Sequence, residues 1–328
     1  MERFKPLSGQ QSVRAIFALT LFAISAATAL AQPTPRTTTI IVPQAAGGSS
    51  DILGRAVAER LANRWKTAVV VENRPGANGN IGTEQVARGK SDGTVLLLQY
   101  SATLTANPYL YQRVPFDAIK DFRLVAPVAE VPLVLVVNPQ LAAQTTDQFI
   151  ALAKTKGLTY GSAGNGTVNH LAGEYAFSEA GITVTHVPYR GVAASLADLM
   201  GGQIDSAFSS MAPAIPLIRS GKLRALAVTS SKRVKALGDV PTFMESKAAR
   251  VSSTSWYAVL APATVPADQL EFLRREVTAA IEGPEFEARL ETLGAERMRV
   301  AYADWEKLIT EESKVWAAVI KRAGAKLD

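Results

Sequence analysis

Short apolar runs alternate with longer helix-like stretches along most of this chain, and no other feature narrows the possible folds as much. Residues 38–43 read as a buried strand, 51–65 as a helix, 68–71 as a strand, 83–88 as a short helix and 94–99 as a strand. Two more strands are expected at 124–128 and 133–137, separated by Glu130 and Pro132, and then a helix over 146–156 carrying Phe149, Ile150 and Leu152. A second series follows: strand 158–160, helix 168–180, strand 183–187, helix 193–200, strand 204–207, helix 213–219 and strand 225–228. One further strand, 255–260, precedes a helical tail at 267–281, 284–292 and 302–320. Short strands alternating with helices argue an α/β fold with mainly parallel sheets.

Two places read as crossings between lobes. At Val136-Val137-Asn138-Pro139 a buried strand runs into a proline, and near 255–263 a strand ends in the turn from Pro262 to Pro266. The expectation is a discontinuous first lobe, 37–137 plus 258–328, and a second lobe, 138–257. Each is a mainly parallel sheet flanked by helices. Two crossings make a hinge with a cleft between the lobes, and ligand pockets favour such interfaces.

The amino terminus has the layout of a secretory signal peptide. Arg3, Lys5 and Arg14 form a positive region, 15–27 is strongly apolar, and Ala29-Leu30-Ala31 is a small-x-small cleavage site before Gln32. The apolar core is shorter than the roughly 20 residues of a spanning helix. Cleavage after residue 31 removes Glu2, Arg3, Lys5 and Arg14, a net +2 of the formal +6, and leaves +4. The expected location is the periplasm, where ATP and NAD are scarce.

Composition closes off several functions. The chain is 48% hydrophobic and 20% charged, which fits a globular protein with a core. Its basic residues are interspersed with acidic ones and form no stripe with aromatic interleaving, so nucleic acid is not an expected partner. The absence of cysteine excludes disulfides, thiolate catalysis and zinc–cysteine sites. Gly89-Lys90-Ser91 is no P-loop, because Glu84 stands where the motif's first glycine is required, and there is no Gly-x-Ser-x-Gly. In the run from Gly164 to Asn169 the third glycine of a dinucleotide fingerprint is Asn169. His170 and His186 are the only histidines, with no carboxylate pair at metal-ligand spacing. No cofactor, no metal and no enzymatic activity are expected.

What remains is a pair of glycine-rich turns in matching positions. Pro43 to Asp51, PQAAGGSSD, follows the first strand and opens the first helix. Gly161 to His170, GSAGNGTVNH, does the same in the second series. Open α/β sheets bind ligands at the carboxyl ends of their strands. A helix amino terminus there offers unpaired N–H groups and the positive end of its dipole. Each turn therefore suits a carboxylate or phosphate, and one per lobe would clamp an anion from both sides. The plain alternative is that both are ordinary capped turns, with Ser50, Asp51 or Thr167 as the cap.

The order of motifs resembles one family. Ile41-Val42-Pro43 with Gly47-Gly48 and Asp51, Val71 to Gly79 (VENRPGANG) and Asp92 to Leu97 (DGTVLL) carry the first part of the likeness. Tyr160 to Gly166 (YGSAGNG), Val187 to Gly191 (VPYRG), Gly201 to Asp205 (GGQID), Leu226 to Thr229 and Trp256-Tyr257-Ala258 carry the rest. The chain is similar to the Bug family, the TctC-like substrate-binding proteins of tripartite tricarboxylate transporters. The resemblance implies a two-lobed periplasmic-binding-protein-like fold (type II) that closes on a small organic carboxylate. It also implies delivery to permease subunits, one large and one small, without ATP hydrolysis. A monomer is expected.

Carried over by motif, Gly47, Gly48, Ser49 and Asp51 hold the carboxylate from the first lobe, in that family partly through ordered waters. Ser162, Asn165, Gly166 and Thr167 hold it from the second. His170 and Asp205 fall where cleft-facing polar residues are expected. Asp205 would accept from an amino or hydroxyl group, and for His170 a satisfied core position is an equal reading. Tyr189 and Arg190 look cleft-adjacent, and Glu72-Asn73-Arg74 reads as a structural turn. The chain departs from the family at Gln44-Ala45-Ala46, where an aromatic and prolines often stand. An amide in place of an aromatic wall implies a roomier, more polar pocket and a more polar or larger ligand. Two alternatives stay open: a solute sensor for a signalling receptor, which would share the pocket, and a periplasmic hydrolase using Ser162 with His170.

Overall fold

The computed structural model describes residues 37–90, 92–247, 249–323 and 326; the signal peptide read from residues 1–31 lies outside them. The strands are β1 (Thr37–Val42), β2 (Ala68–Asn73), β3 (Val95–Tyr100), β4 (Phe122–Val137), β5 (Thr159–Ser162), β6 (Thr185–Pro188), β7 (Ser206–Ser210), β8 (Arg224–Val228), β9 (Thr254–Pro262) and β10 (Glu296–Arg297). The helices are α1 (Ser49–Trp65), α2 (Asn80–Ala87), α3 (Ser101–Thr105), α4 (Asn107–Leu110), α5 (Thr146–Ala153), α6 (Val168–Glu179), α7 (Val192–Met200), α8 (Met211–Arg219), α9 (Ala267–Ile281), α10 (Pro284–Thr292) and α11 (Trp305–Ala323).

The strands join in the order β2-β1-β3-β9-β4-β7-β5-β6, with β8 and β10 also on β4. Each end of this path is a parallel wing. In one, Ile41 of β1 stands opposite Glu72 of β2 and Leu97 of β3. In the other, β5 lies parallel between β6 and β7. Helices supply the crossovers that parallel pairing requires. Both faces of β1 are buried: Ile40 and Val42 pack in one apolar cluster and Ile41 in another, as the period of two dictates. The centre differs from the mainly parallel expectation, because β9 is antiparallel to both β3 and β4.

The two strands expected at 124–128 and 133–137 are one strand of 16 residues, β4. Pro132 does not break it, because the proline falls where β4 changes partner. It pairs with β9 up to Pro132 opposite Thr254, and with β7 from Leu133 opposite Ser210. The missing N–H of Pro132 is thus placed at the end of one ladder. Register shifts between Leu124 and Ala126 and between Pro127 and Ala129 absorb the other irregularities. The short helices α3 and α4 and the two-residue β10 carry no periodic signal and were not expected. In α11, buried Trp305, Ile309, Trp316 and Ile320 fall at helical spacing on one face. No helix among the described residues is long and apolar enough to cross a membrane.

Candidate functional site

β1 ends at Val42, and the chain turns through Pro43 to Gly48 into α1. Gly47 has φ +83°, a conformation that favours glycine. The cap of α1 is Gly48, with no side-chain cap bond, so the role considered for Ser50 and Asp51 is filled by backbone. Asp51 instead reaches back, its Oδ2 accepting the Gly47 N–H at 3.0 Å while it pairs with Arg55 at 2.9 Å. Burial pushes its carboxyl up, but the bonds from Arg55, the Gly47 amide and Asn73 outweigh this, and it sits below the ordinary carboxylate range. A fixed negative charge therefore ties the turn to the helix.

The second turn is braced by imidazoles. Fully buried Ser162 ends β5, its Oγ 2.7 Å from His186 Nε2 and 3.1 Å from both the amide and the carbonyl of Gly164. Gly164 and Gly166 have φ of +134° and +73°. Thr167 caps α6 by accepting the His170 N–H, and His170 Nδ1 accepts the Gly166 N–H at 3.1 Å. The two imidazoles stack with centroids 4.0 Å apart. Burial, then the neighbouring His170, hold His186 at about 3, and burial lowers His170 despite Glu174 nearby. Both rings are neutral near pH 7, as an acceptor for Gly166 N–H must be.

Both turns open on one cavity of about 490 Å³. It lies at the carboxyl ends of β1, β2 and β3 in one wing and of β5, β6 and β7 in the other. Five helices of eight residues or more present their cap residues to it: Gly48 for α1, Gly79 for α2, Thr167 for α6, Gly191 for α7 and Ser210 for α8. Only Thr167 among these makes a side-chain cap bond. The first-turn N–H groups of the other four have no side chain to satisfy them. Among the described residues, Arg190 is the single charged side chain in the lining. Five dipole ends and one guanidinium give the cavity a positive potential with no carboxylate to oppose it. Ser49, 3% exposed, lines the cavity beside Tyr257. Across the cavity, Asn78 Nδ2 donates to Gly166 O at 2.8 Å, tying the loop after β2 to the turn after β5.

Of the expected site residues, Gly48, Ser49, Asn165 and Thr167 line this cavity. Gly47, Asp51, Ser162, Gly166 and His170 stand behind them, shaping the two turns rather than lining the space. Asp205 is corrected: it precedes β7 at the end away from Ser210, and its Oδ2 accepts from the amide and hydroxyl of Thr159, each at 2.8 Å. At about 3.3 Å per residue, β7 separates it from the cavity by some 16 Å. The pairing of Ser162 with His170 is also corrected, since Ser162 bonds His186 and is closed off from solvent. Arg190 lines the cavity, while the Tyr189 hydroxyl donates to Asp198. Glu72 and Arg74 form an ion pair, as the structural reading of that turn expects. Sequence reasoning missed Tyr100, Tyr257, Asn78 and Ser210. Ser210, a serine between a strand and a helix, carried the same signature as the other turns. The two tyrosines lie within strands and carried none.

A model of the family described as "Tripartite tricarboxylate transporter family receptor" matches residues 53–325. The protein BugT of Bordetella pertussis is 34% identical over 291 residues, covering 88% of this chain and 89% of its own. Among solved structures, R. palustris Rpa4515 with adipate aligns with a TM-score of 0.85 at 31% identity, over 89% of this chain and 99% of its own. MatC from Rhodopseudomonas palustris with bound malate aligns at 0.80 and 28%, over 87% and 99%. Together with the periplasmic-binding-protein-like fold, these matches establish that the chain belongs to the TctC family of periplasmic solute-binding proteins, the receptors of tripartite tricarboxylate transporters.

Proposed function

We propose that this protein captures a small organic carboxylate in the cavity between its two wings and delivers it to the large and small permease subunits of a tripartite tricarboxylate transporter. The observation that carries this reading is the convergence of five helix caps and Arg190 on a cavity with no acidic side chain in its lining. The carboxylate is held by the first-turn amides of α1 and α6, with Ser49, Asn165, Thr167 and Arg190 around it. Adipate in Rpa4515 and malate in MatC are anions of this class. The protein acts as a monomer after export to the periplasm and cleavage before Gln32, and it performs no chemistry on its ligand.

The wings move as two lobes. β4 and the β8–β9 connection are the crossing strands, and the changes of partner at Leu133 and Thr254 are the hinge. A ligand touching both lobes shifts the population towards the closed form, and Asn78–Gly166 is a bond of that form.

A thermal-shift screen of the purified protein against di- and tricarboxylates, aromatic acids, amino acids and small phosphates tests the reading. Ligand at a hundred times its Kd stabilises by roughly 2.7 kcal/mol, so a carboxylate should raise the Tm clearly, and the rise should shrink in Thr167→Val. Unfolding and refolding first removes any resident ligand. No shift with any carboxylate after that step would refute the proposal.

A further inference from the structure

Two asparagines that precede a glycine line the cavity, Asn78 and Asn165. Such a step is chemically labile. Glycine has no side chain to keep its nitrogen from closing on the side-chain carbonyl before it in a five-membered ring. The structure guards one of the two and not the other. Asn78 Nδ2 donates to Asn107 Oδ1 at 2.7 Å and to Gly166 O at 2.8 Å, and its Oδ1 accepts from Tyr100 at 2.6 Å. The Gly79 N–H that would have to attack it donates to the Gly76 carbonyl at 2.9 Å, a group too weakly basic to take the proton. Asn165 is exposed, and its side chain bonds to none of the described residues, so its amide is free to turn. The neighbouring Gly166 N–H donates to His170 Nδ1 at 3.1 Å, an atom that can take the proton. His170 Nε2 faces Glu174 Oε1 at 3.8 Å, so a carboxylate stands ready to steady the imidazolium, and Tyr160 donates to that carboxylate at 2.6 Å. Nucleophile, base and orienting group are all present.

We propose that Asn165-Gly166 is a site of self-modification, in which the Gly166 nitrogen, with His170 as base, converts the Asn165 amide to a carboxylate and so closes the cavity to anions. The Gly166 nitrogen forms a bond to Asn165 Cγ while its proton passes to His170 Nδ1. The tetrahedral carbon then expels Nδ2, which takes that proton and leaves as ammonia, and a cyclic imide remains. Water opens the imide on either side, and nothing is oxidised or reduced. One opening gives aspartate at position 165. The other gives isoaspartate, which also lengthens the backbone of the turn by one carbon. Either product sets a fixed negative charge beside the first turn of α6, in a lining with no acidic side chain among the described residues, and it repels a carboxylate ligand. The receptor therefore ages, its capacity for capture falling with time since folding. The effect on capture rests on the anion-capture reading above, whereas the conversion itself does not.

Peptide mapping by mass spectrometry, on purified protein sampled through an incubation near neutral pH, tests the conversion. The mass gain of amide-to-acid exchange should appear at Asn165, as a mixture of aspartate and isoaspartate, about tenfold or more ahead of Asn78. His170→Gln still offers a carbonyl to hold the Gly166 N–H but cannot take its proton. The rate at Asn165 should fall about tenfold or more in that variant, whereas a merely structural role for His170 would leave it unchanged. The modified form carries extra negative charge and separates by ion exchange. Titrated with the carboxylate that gives the largest thermal shift, it should bind about tenfold more weakly or worse than the unmodified form. An Asn165 that stays an amide, or converts no faster than Asn78, would overturn the proposal, and so would a modified form that binds equally well. An unchanged rate in His170→Gln would overturn the role of His170 as base. Failure of every carboxylate to bind the unmodified protein would instead overturn the anion-capture reading and leave the conversion standing on its masses. The two asparagines are compared within the wild-type protein, so that result holds even if the variant fails to fold.

Discussion

The buried polar cluster behind the second turn shows how single residues set the shape of this site. Ser162 leans on His186, Gly166 leans on His170, and Tyr160 donates to Glu174 at 2.6 Å beneath the two rings. Both imidazoles accept or stack only while neutral. An unfolded histidine titrates near 6.5, whereas His186 is pushed down to about 3 in the fold and His170 is shifted in the same direction. Folded-state values below the unfolded ones mean the stabilisation is complete above about pH 6.5. It is lost progressively as the pH falls from there towards about 3. Urea midpoints measured between pH 7.5 and 4.5 should decrease on the acid side, and the decrease should be smaller in His186→Asn. A midpoint that is flat across that window, or an equal slope in the variant, would show that the imidazoles are not held neutral.

At the scale of the element, the informative strand is β4. Its Leu133 N–H, freed from β9, is taken by the Thr229 hydroxyl at 2.9 Å, while the Thr229 N–H returns to the Leu133 carbonyl at 2.9 Å. The same hydroxyl donates to the Ser253 carbonyl at 2.6 Å, so one fully buried threonine joins both crossing strands where they change partner. Thr229→Val keeps the shape but strands a donor and an acceptor, and the expected loss is about 1–3 kcal/mol in denaturant unfolding. A loss below about 0.5 kcal/mol, the range of inconsequential surface changes, would mean the crossing is held by its ladders alone.

The same strand marks what was legible in the sequence. Apolar runs and their flanking turns located both wings to within a few residues, because buried strands and capped helices are written locally. Pro132 reads locally as a break, and only the exchange of β9 for β7 shows why it is none. Likewise the glycine-rich turns announced themselves, since a chain that must reach positive φ beside a helix start has few residues to choose from. Asp205 looked polar and suitably spaced, yet its place at the far end of β7 follows from strand direction, which spacing does not encode. Tyr100 and Tyr257 reach the cavity through pairing between β3 and β9, a contact across 157 positions that leaves no local trace.

For the whole molecule, where charge is absent matters as much as where it is present. Five helix starts converge on a space whose single charged side chain among the described residues is Arg190, and the bond from Asn78 to Gly166 already spans it. Such a cavity favours an anion without specifying its remainder, which fits a family whose members hold ligands as different as adipate and malate. The direct measurement is a crystal structure of the protein with the carboxylate that gives the largest thermal shift. Carboxylate oxygens should lie within hydrogen-bonding distance of the first-turn amides of both α1 and α6, beside Ser49 and Thr167. A carboxylate bound elsewhere, or oriented with its charged end away from these two helix starts, would contradict it.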